Sequence, residues 1–461
     1  MPREIYHFIF MKNNHRIDIR GFSNTSISTF VVYVLLFLSV HLTGINPLVL
    51  QSDDIIATST LPFSILKEGN LDLDEYYGLL TKYYPQPDDP SNTPHYLRKS
   101  NGHYYNNYPM FTSFAAVPVY ILPALMGADR SIEGIRIMSR LGGAFLTSLS
   151  VGLFYLILKE RVKDKKNIWI LLLIYALGTN SLSISSQGLW QHGTSQLMLS
   201  IGLLALLRKN YGMAGLFNGF AYWARPTNLL PVAVIGMFLL WENRKDISRI
   251  IRYSFFAFMP ILSDILLSAV IFGGIGNTEY GSRLSEFNGN WIIGFLGMWF
   301  SPSKGILVCS PVFIFMFYGL ANSLKKISRS KLEMALIVII VFHTIIIGRW
   351  YSWFGGYAWG YRMASDILPY MVFMLIPFVE SKYMKQLAFK VAFFAAAAFS
   401  VFVQFLGLAY FDSVWHTIFD GKGNWLWDIP NSQILFSVKR MLHKFGLIEN
   451  PVPVRYLPEG S

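Results

Sequence analysis

Two adjacent carboxylates, Asp53 and Asp54, stand just past an apolar run, 26–50, that is long enough to cross a bilayer. Carboxylates this close to hydrocarbon are costly unless they are solvated, paired or used. At a water–lipid boundary, beside cations that hold an anion, such a group is suited to general-base work. It takes a proton from a hydroxyl while the cations offset the charge that departs. A solvated acidic loop is the other use of the same pair.

The cations exist, and they sit in aromatic-rich turns. Arg225 lies in "WARPTN", Arg283 in "GSRLSEF", Lys304 in "FSPSKG", and Arg349 and Arg362 in "RWYSWFGGYAWGYRMASD". Arginine grips phosphate through a planar fork of donors. Any one of these residues is also explained by snorkelling to ordinary lipid headgroups. Arg225 and Arg362, each within a Trp/Tyr-rich turn, are read as phosphate ligands, with Lys304 and Arg349 as further candidates and Arg283 on the substrate side. Tyr108 of "LRKSNGHYYNNYP" and Gln191 and His192 of "LWQHGTSQ" join them as substrate contacts. His192 fits equally well as a satisfied interhelical histidine. Trp223, Trp350, Trp353 and Trp359 suit either a sugar ring to stack on or the aromatic belt of a membrane interface.

These residues need a scaffold, and composition says which. The chain has 461 residues, 53% apolar and only 14% charged, against the roughly 25% charged residues of soluble domains. Many separate apolar runs approach the ~20 residues that span a bilayer. The expected fold is an all-α polytopic membrane protein with about eleven transmembrane helices. The net charge of +12 follows from basic loops between spans and implies no nucleic-acid partner. One cysteine, Cys309, excludes an intrachain disulfide.

Arg3, Lys12, Arg16 and Arg20 place the N-terminus inside. For "KERVKDKKN", from Lys159, also to lie inside, the proline-containing segment 110–127 must lie along the outer interface rather than cross. Spans then follow near 137–158, 168–186, 188–207, 213–225, 227–241, 253–273, 305–323, 333–349, 366–379 and 386–408. The two short ones, 213–225 and 227–241, are expected to meet as half-length helices at "RPTN". This topology rests on the basic loops alone, yet it gathers every candidate residue above on the outer side. It divides the chain into a transmembrane part, 1–410, with a first outer loop at 51–136, and an outer C-terminal tail, 411–461.

Several chemistries lack support. There is no phosphate-cradling glycine loop, no H-E-x-x-H and no cysteine cluster. Neither a cofactor nor a metal is expected. Asp264 and His343 fall near the middle of spans and should face the bundle interior, as structural polar contacts. Midplane acids and histidines also occur in proton-coupled carriers, so a transporter or flippase of lipid-linked sugars or small polar substrates is the alternative reading. That reading expects inverted repeats, and none is visible.

An inside N-terminus, an acid just past the first span, interfacial helices in the first outer loop and a cationic outer rim resemble the type-C superfamily of integral-membrane glycosyltransferases. "LPFSILKEGNLDLDEY" and "YLRKSNGHYYNNYPMFTSFAAVPVY" look like the first outer loop of a bacterial branch, and "LWQHG", "WARPTN", "FSPSKGILVCSPV" and "GYAWGYRMASDILP" resemble its later outer-face segments. The outer tail is similar to that of phage-type O-antigen glucosyltransferases. The resemblance implies a polyprenyl-phosphate sugar as donor, an acid of the first outer loop as base and a glycan, lipid or protein acceptor. It places the enzyme in a bacterial inner membrane with its active site on the periplasmic side. Carried over, the base is Asp54 or Asp53, and Arg225 and Arg362 hold the lipid phosphate. The double acid departs from that superfamily's single-acid pattern.

Overall fold

The computed structural model describes residues 24–43, 50, 52–85, 93–242, 244–274, 283–325, 327 and 330–453. The basic residues Arg3, Lys12, Arg16 and Arg20 fall outside these, as do 44–49, 275–282 and 454–461.

The described chain opens with α1 (Asn24–Leu42), then α2 (Asp53–Lys67) and α3 (Asp74–Tyr83). A hairpin of β1 (Leu97–Ser100) and β2 (His103–Asn106) follows, a departure from the all-α expectation. Its cause is local: Asn101 and Gly102 both take positive φ, 51° and 92°, the geometry of a two-residue hairpin turn that Asn-Gly favours. Asp74 fastens the hairpin, accepting from Tyr104 N and from His103 Nδ1, each at 2.7 Å. The apolar segment after it is α4 (Phe111–Leu125), 15 residues long and shorter than the ~20 needed to cross.

The bundle core is α5 (Ile132–Lys159), α6 (Lys165–Leu177) and α7 (Gln191–Leu207). Hydroxyls stitch them together: Ser150 Oγ lies 2.7 Å from Tyr175 OH and 3.1 Å from Ser200 Oγ, while His41 of α1 meets Ser148 at 2.9 Å. Such interhelical bonds contribute about 0.6–2 kcal/mol each inside a membrane protein. Next come α8 (Tyr211–Ala224) and α9 (Leu229–Glu242), joined by one 3-10 turn, Pro226–Asn228. The expected break at "RPTN" is where the two short helices meet. The remaining helices are α10 (Ile247–Phe272), α11 (Trp291–Phe300), α12 (Met316–Lys325), α13 (Lys331–Arg349), the run α14 (Arg362–Val379), α15 (Leu387–Tyr410), α16 (Val414–Phe419) and α17 (Gln433–Lys444).

Five helices among the described residues are long and apolar enough to cross a bilayer: α5, α10, α13, α14 and α15. The expectation of about eleven therefore needs correction. The other apolar stretches are either shorter helices, as in α1, α4, α9 and α11, or interrupted. The 168–186 run splits into α6 and a wide π turn at Ser181–Ser185, and the 305–323 run breaks at Pro311 into a 3-10 turn. Broken backbone at membrane depth is tolerated where protein covers it, and the whole π turn is buried.

The C-terminal segment 411–453 packs onto the rest of the chain. Gln433 Nε2 donates to the Ala358 carbonyl, Gln433 Oε1 accepts from Gly360 N, and Gln433 N donates to Ser303 Oγ. Trp415, Ile418, Trp425, Phe436 and Val452 form a small core of their own. The tail thereby pins the 350–361 loop.

Candidate active site

Ser52 is extended (φ −160°, ψ 156°) and α2 starts at Asp53, so both acids occupy the first turn of a helix. Free N–H groups and the helix dipole favour negative charge there. Buried contacts hold this turn in place: Thr58 Oγ1 donates to the Asp54 carbonyl, and Ser59 donates to Ser139 of α5. Asp54 is buried. Its Oδ2 lies 3.6 Å from Arg362 Nη1, and its Oδ1 has no hydrogen-bond partner.

Arg362 opens the 3-10 start of α14. Its Nη1 donates to Ser52 Oγ at 3.4 Å, and its guanidinium stands 4.8 Å from the centre of the Trp190 ring. A cation over indole is worth about 0.5–2 kcal/mol, more when desolvated. Trp190 is held in turn by close packing. A Cβ on Gly143 would stand 1.9 Å from the Gly188 carbonyl oxygen, so only glycine lets the 188–190 turn settle on α5.

Arg225 arrives from the other side. Proline at 226 drives the residue before it out of the helix (φ −150°, ψ 119°). Its Nε lies 2.8 Å from Asp366 Oδ2, and Asp366 Oδ1 accepts from His192 Nδ1 at 2.8 Å. Arg225 Nη1 closes the ring against His192 Nε2 at 3.4 Å. This geometry puts the imidazole proton on Nδ1 and leaves Nε2 as acceptor. All three side chains are buried.

A cavity of about 350 Å³ joins the two halves: Asp53, Asp54, Tyr108, Arg225 and Arg362 line it, with Thr227, Trp350 and Tyr357. The structure thus brings together, from four distant stretches, six of the residues singled out in the sequence: Asp53, Asp54, Tyr108, Arg225, Trp350 and Arg362. Others it places elsewhere. His192 and Gln191 are buried in α7, and His192 serves Asp366 and Arg225 instead of lining the cavity. Arg349 is exposed and donates to the carbonyls of Phe287 and Gly289. Trp359 is fully buried against Gly407. The Arg283 side chain lies outside the described residues. His343 donates to the Met363 carbonyl at 2.9 Å, and neither it nor Asp264 lines the cavity.

Lys304 is also buried away from the cavity. It donates to the Ala358 carbonyl and lies 3.0 Å from His416 Nε2. Burial pushes its ammonium down to about 7, against the opposing pull of Cys309 and Asp420, and Arg362 adds to the fall. The same burial, with Lys304 nearby, holds His416 well below the ordinary imidazole range. His416 stacks on Tyr357 at 4.8 Å, so the pair touches the cavity wall from behind.

Asp366 escaped notice in the sequence, although it closes the quoted "GYRMASD" stretch. Its signal was an acid at the end of an apolar run, which must be paired if buried. Among the described residues, one group with metal-ligand types, Asp72, Asp74 and His103, belongs to the hairpin region and not to the cavity. The carboxylate of Asp74 is already used to fasten β2.

No protein-family model and no curated protein matches the sequence. The structure is similar to the crystal structure of the Archaeoglobus fulgidus oligosaccharyltransferase tethered with an acceptor peptide containing the NVT sequon via a disulfide bond. The match has a TM-score of 0.50 at 14% identity and covers 93% of this chain. This chain spans 59% of the length of that one. At this identity the likeness is one of fold.

Proposed function

We propose that this chain is a type-C glycosyltransferase. It moves one sugar from a polyprenyl-phosphate carrier to a glycan, lipid or protein acceptor of the cell envelope, on the outer face of a bacterial inner membrane. One observation carries the reading: a buried carboxylate oxygen with no partner, Asp54 Oδ1, shares a cavity with two guanidinium groups brought from remote parts of the chain.

Asp54 takes the proton of the acceptor hydroxyl, and that oxygen attacks the anomeric carbon. The bond from this carbon to the phosphate oxygen breaks, and its electron pair leaves with the lipid phosphate. Arg362 and Arg225 offset the charge gained there. One displacement inverts the anomeric centre. The proposed donor arrives already activated, so no nucleotide takes part on that side. A cavity of about 350 Å³ lies at the small end of ligand sites, which run from roughly 300 to 1,000 Å³. That suits one sugar and its phosphate better than a long oligosaccharide. The distant fold likeness supports the reaction class and leaves sugar and acceptor open.

The test is transfer by the purified, reconstituted chain from polyprenyl-phosphate hexose and pentose donors. Asp54→Asn should cut turnover by about 10²–10⁴-fold while the donor still binds. Turnover within about threefold of wild type would reject Asp54 as base, since a general base contributes far more. Envelope glycans of cells lacking the gene should lose one hexose or pentose by mass.

A further inference from the structure

Arg140 stands on α5, close to the end that meets the candidate site, and it is 9% exposed. Its Nε and Nη2 are buried and have no hydrogen-bond partner. Those two nitrogens form one edge of the guanidinium. Their N–H bonds run parallel and fit both oxygens of a carboxylate or phosphate. Buried guanidinium donors left without an acceptor are costly to hold.

Among the described residues no carboxylate meets that edge. The nearest acids along the sequence are committed elsewhere: Glu133 pairs with Arg136 and Asp129 with Lys67. The connection between α1 and α2, "GINPLVLQ", contains no Asp or Glu. The position is set by contacts on either side. Ser148, two turns along α5, meets His41 of α1, and Gly143 abuts Gly188. Helical spacing puts residue 140 between these two faces, in the angle between the end of α1 and the 188–190 turn. Its neighbour Ser139 accepts from Leu189 N at 3.0 Å. A second orphan donor belongs to the same turn. The buried indole Nε1 of Trp190 has no partner and lies 3.5 Å from where a Cβ on Gly188 would be.

We propose that the unpaired edge of Arg140 is an oxyanion site for a phosphate group, distinct from the cavity that Arg225 and Arg362 line. Phosphate is the oxyanion that surrounds a membrane protein at the headgroup level. The fork takes two of its oxygens, and the bilayer or the solvent supplies the molecule.

The experiment uses the full chain in a non-ionic, phosphate-free detergent and reads its thermal midpoint. Three probes are added separately: phosphatidylglycerol, diacylglycerol with the same acyl chains, and inorganic phosphate. Phosphatidylglycerol should raise the wild-type midpoint by about 2 °C or more, and diacylglycerol should not. Arg140→Gln should abolish that rise. Without lipid it should be at least as stable as wild type, because an unpaired buried charge has gone. Arg140→Lys keeps the charge but loses the fork, so it should retain less than half of the shift; this variant carries the test if the glutamine variant does not fold. A response to phosphatidylglycerol alone identifies a lipid headgroup, and a response to inorganic phosphate as well identifies free phosphate. A wild-type chain indifferent to both phosphate probes, or variants that respond as it does, overturns the proposal.

Discussion

Asp366 Oδ2 lies 2.8 Å from Arg225 Nε, with the two side chains 0% and 2% exposed. The guanidinium reaches the cavity only because this carboxylate, shared with His192, accompanies it through the protein interior. Removing one partner of a buried pair leaves an uncompensated charge and costs about 3–5 kcal/mol. Asp366→Asn should therefore lower the stability of the detergent-solubilised chain by that order, as read from chemical denaturation. Removing both charges, with Asp366→Leu and Arg225→Met, should cost less than the sum of the single changes. A strictly additive double-mutant cycle would show that the pair does not act as a unit.

Arg362 makes a different contact. Its charge faces Asp54 at 3.6 Å, and its plane rides over Trp190. Lysine keeps the charge and loses the plane. Arg362→Lys should raise KM for the polyprenyl-phosphate donor by about tenfold, the equivalent of ~1.4 kcal/mol, with a smaller change in kcat. Arg362→Gln should lower kcat as well, because the charge that offsets the leaving phosphate is gone. Equal kinetics for the lysine variant and wild type would remove the stacking from the account.

Lys304 gives a pH signature in stability. Its ammonium falls from 10.5 to about 7 on folding, through burial. Between those values the unfolded chain holds a proton that the folded chain has released. Folding therefore gains stability as pH rises across that window, and below about 7 the full cost of burying Lys304 is present. Thermal midpoints of wild type and Lys304→Met should converge towards pH 10 and separate towards pH 7, with the methionine variant the more stable. Parallel curves over that range would mean that Lys304 keeps its ordinary affinity for protons.

How much of this was legible depended on what fixes each feature. Composition and apolar run length govern α5, α10, α13, α14 and α15, and these helices lie within a few residues of their expected spans. Proline chemistry governs the α8–α9 break, so it too could be located. The shared cavity was reachable because basic loops orient the chain independently of Asp54, Arg225 and Arg362. What stayed hidden is decided by partners remote in sequence. Nothing local to Lys304 reveals that His416 and the Ala358 carbonyl bury it, and nothing local to Asp366 reveals that it meets residues 174 and 141 positions earlier. The hairpin differs from these, because its turn signal, Asn101-Gly102, is local and lies among tyrosines.

The packing beneath the site is open to a sharper test. A methyl group at Gly143 meets the Gly188 carbonyl oxygen at 1.9 Å, against backbone on both sides. Backbone cannot rotate away as a side chain can, so the 188–190 turn must move. That turn carries Trp190, on which Arg362 stacks, and leads directly into His192, which orients Asp366. Displacement by about 1 Å typically costs 10²-fold in rate even where no reacting group is touched, and overpacking costs about 1–3 kcal/mol in stability. Gly143→Ala should therefore lose transfer activity out of proportion to its loss of fold. Gly78 of α3 is the control, since a Cβ there meets nothing within 4 Å. Gly78→Ala should be neutral or stabilising by up to about 1 kcal/mol, with activity unchanged. If both alanine variants turn over like wild type, the Trp190 turn does not position Arg362.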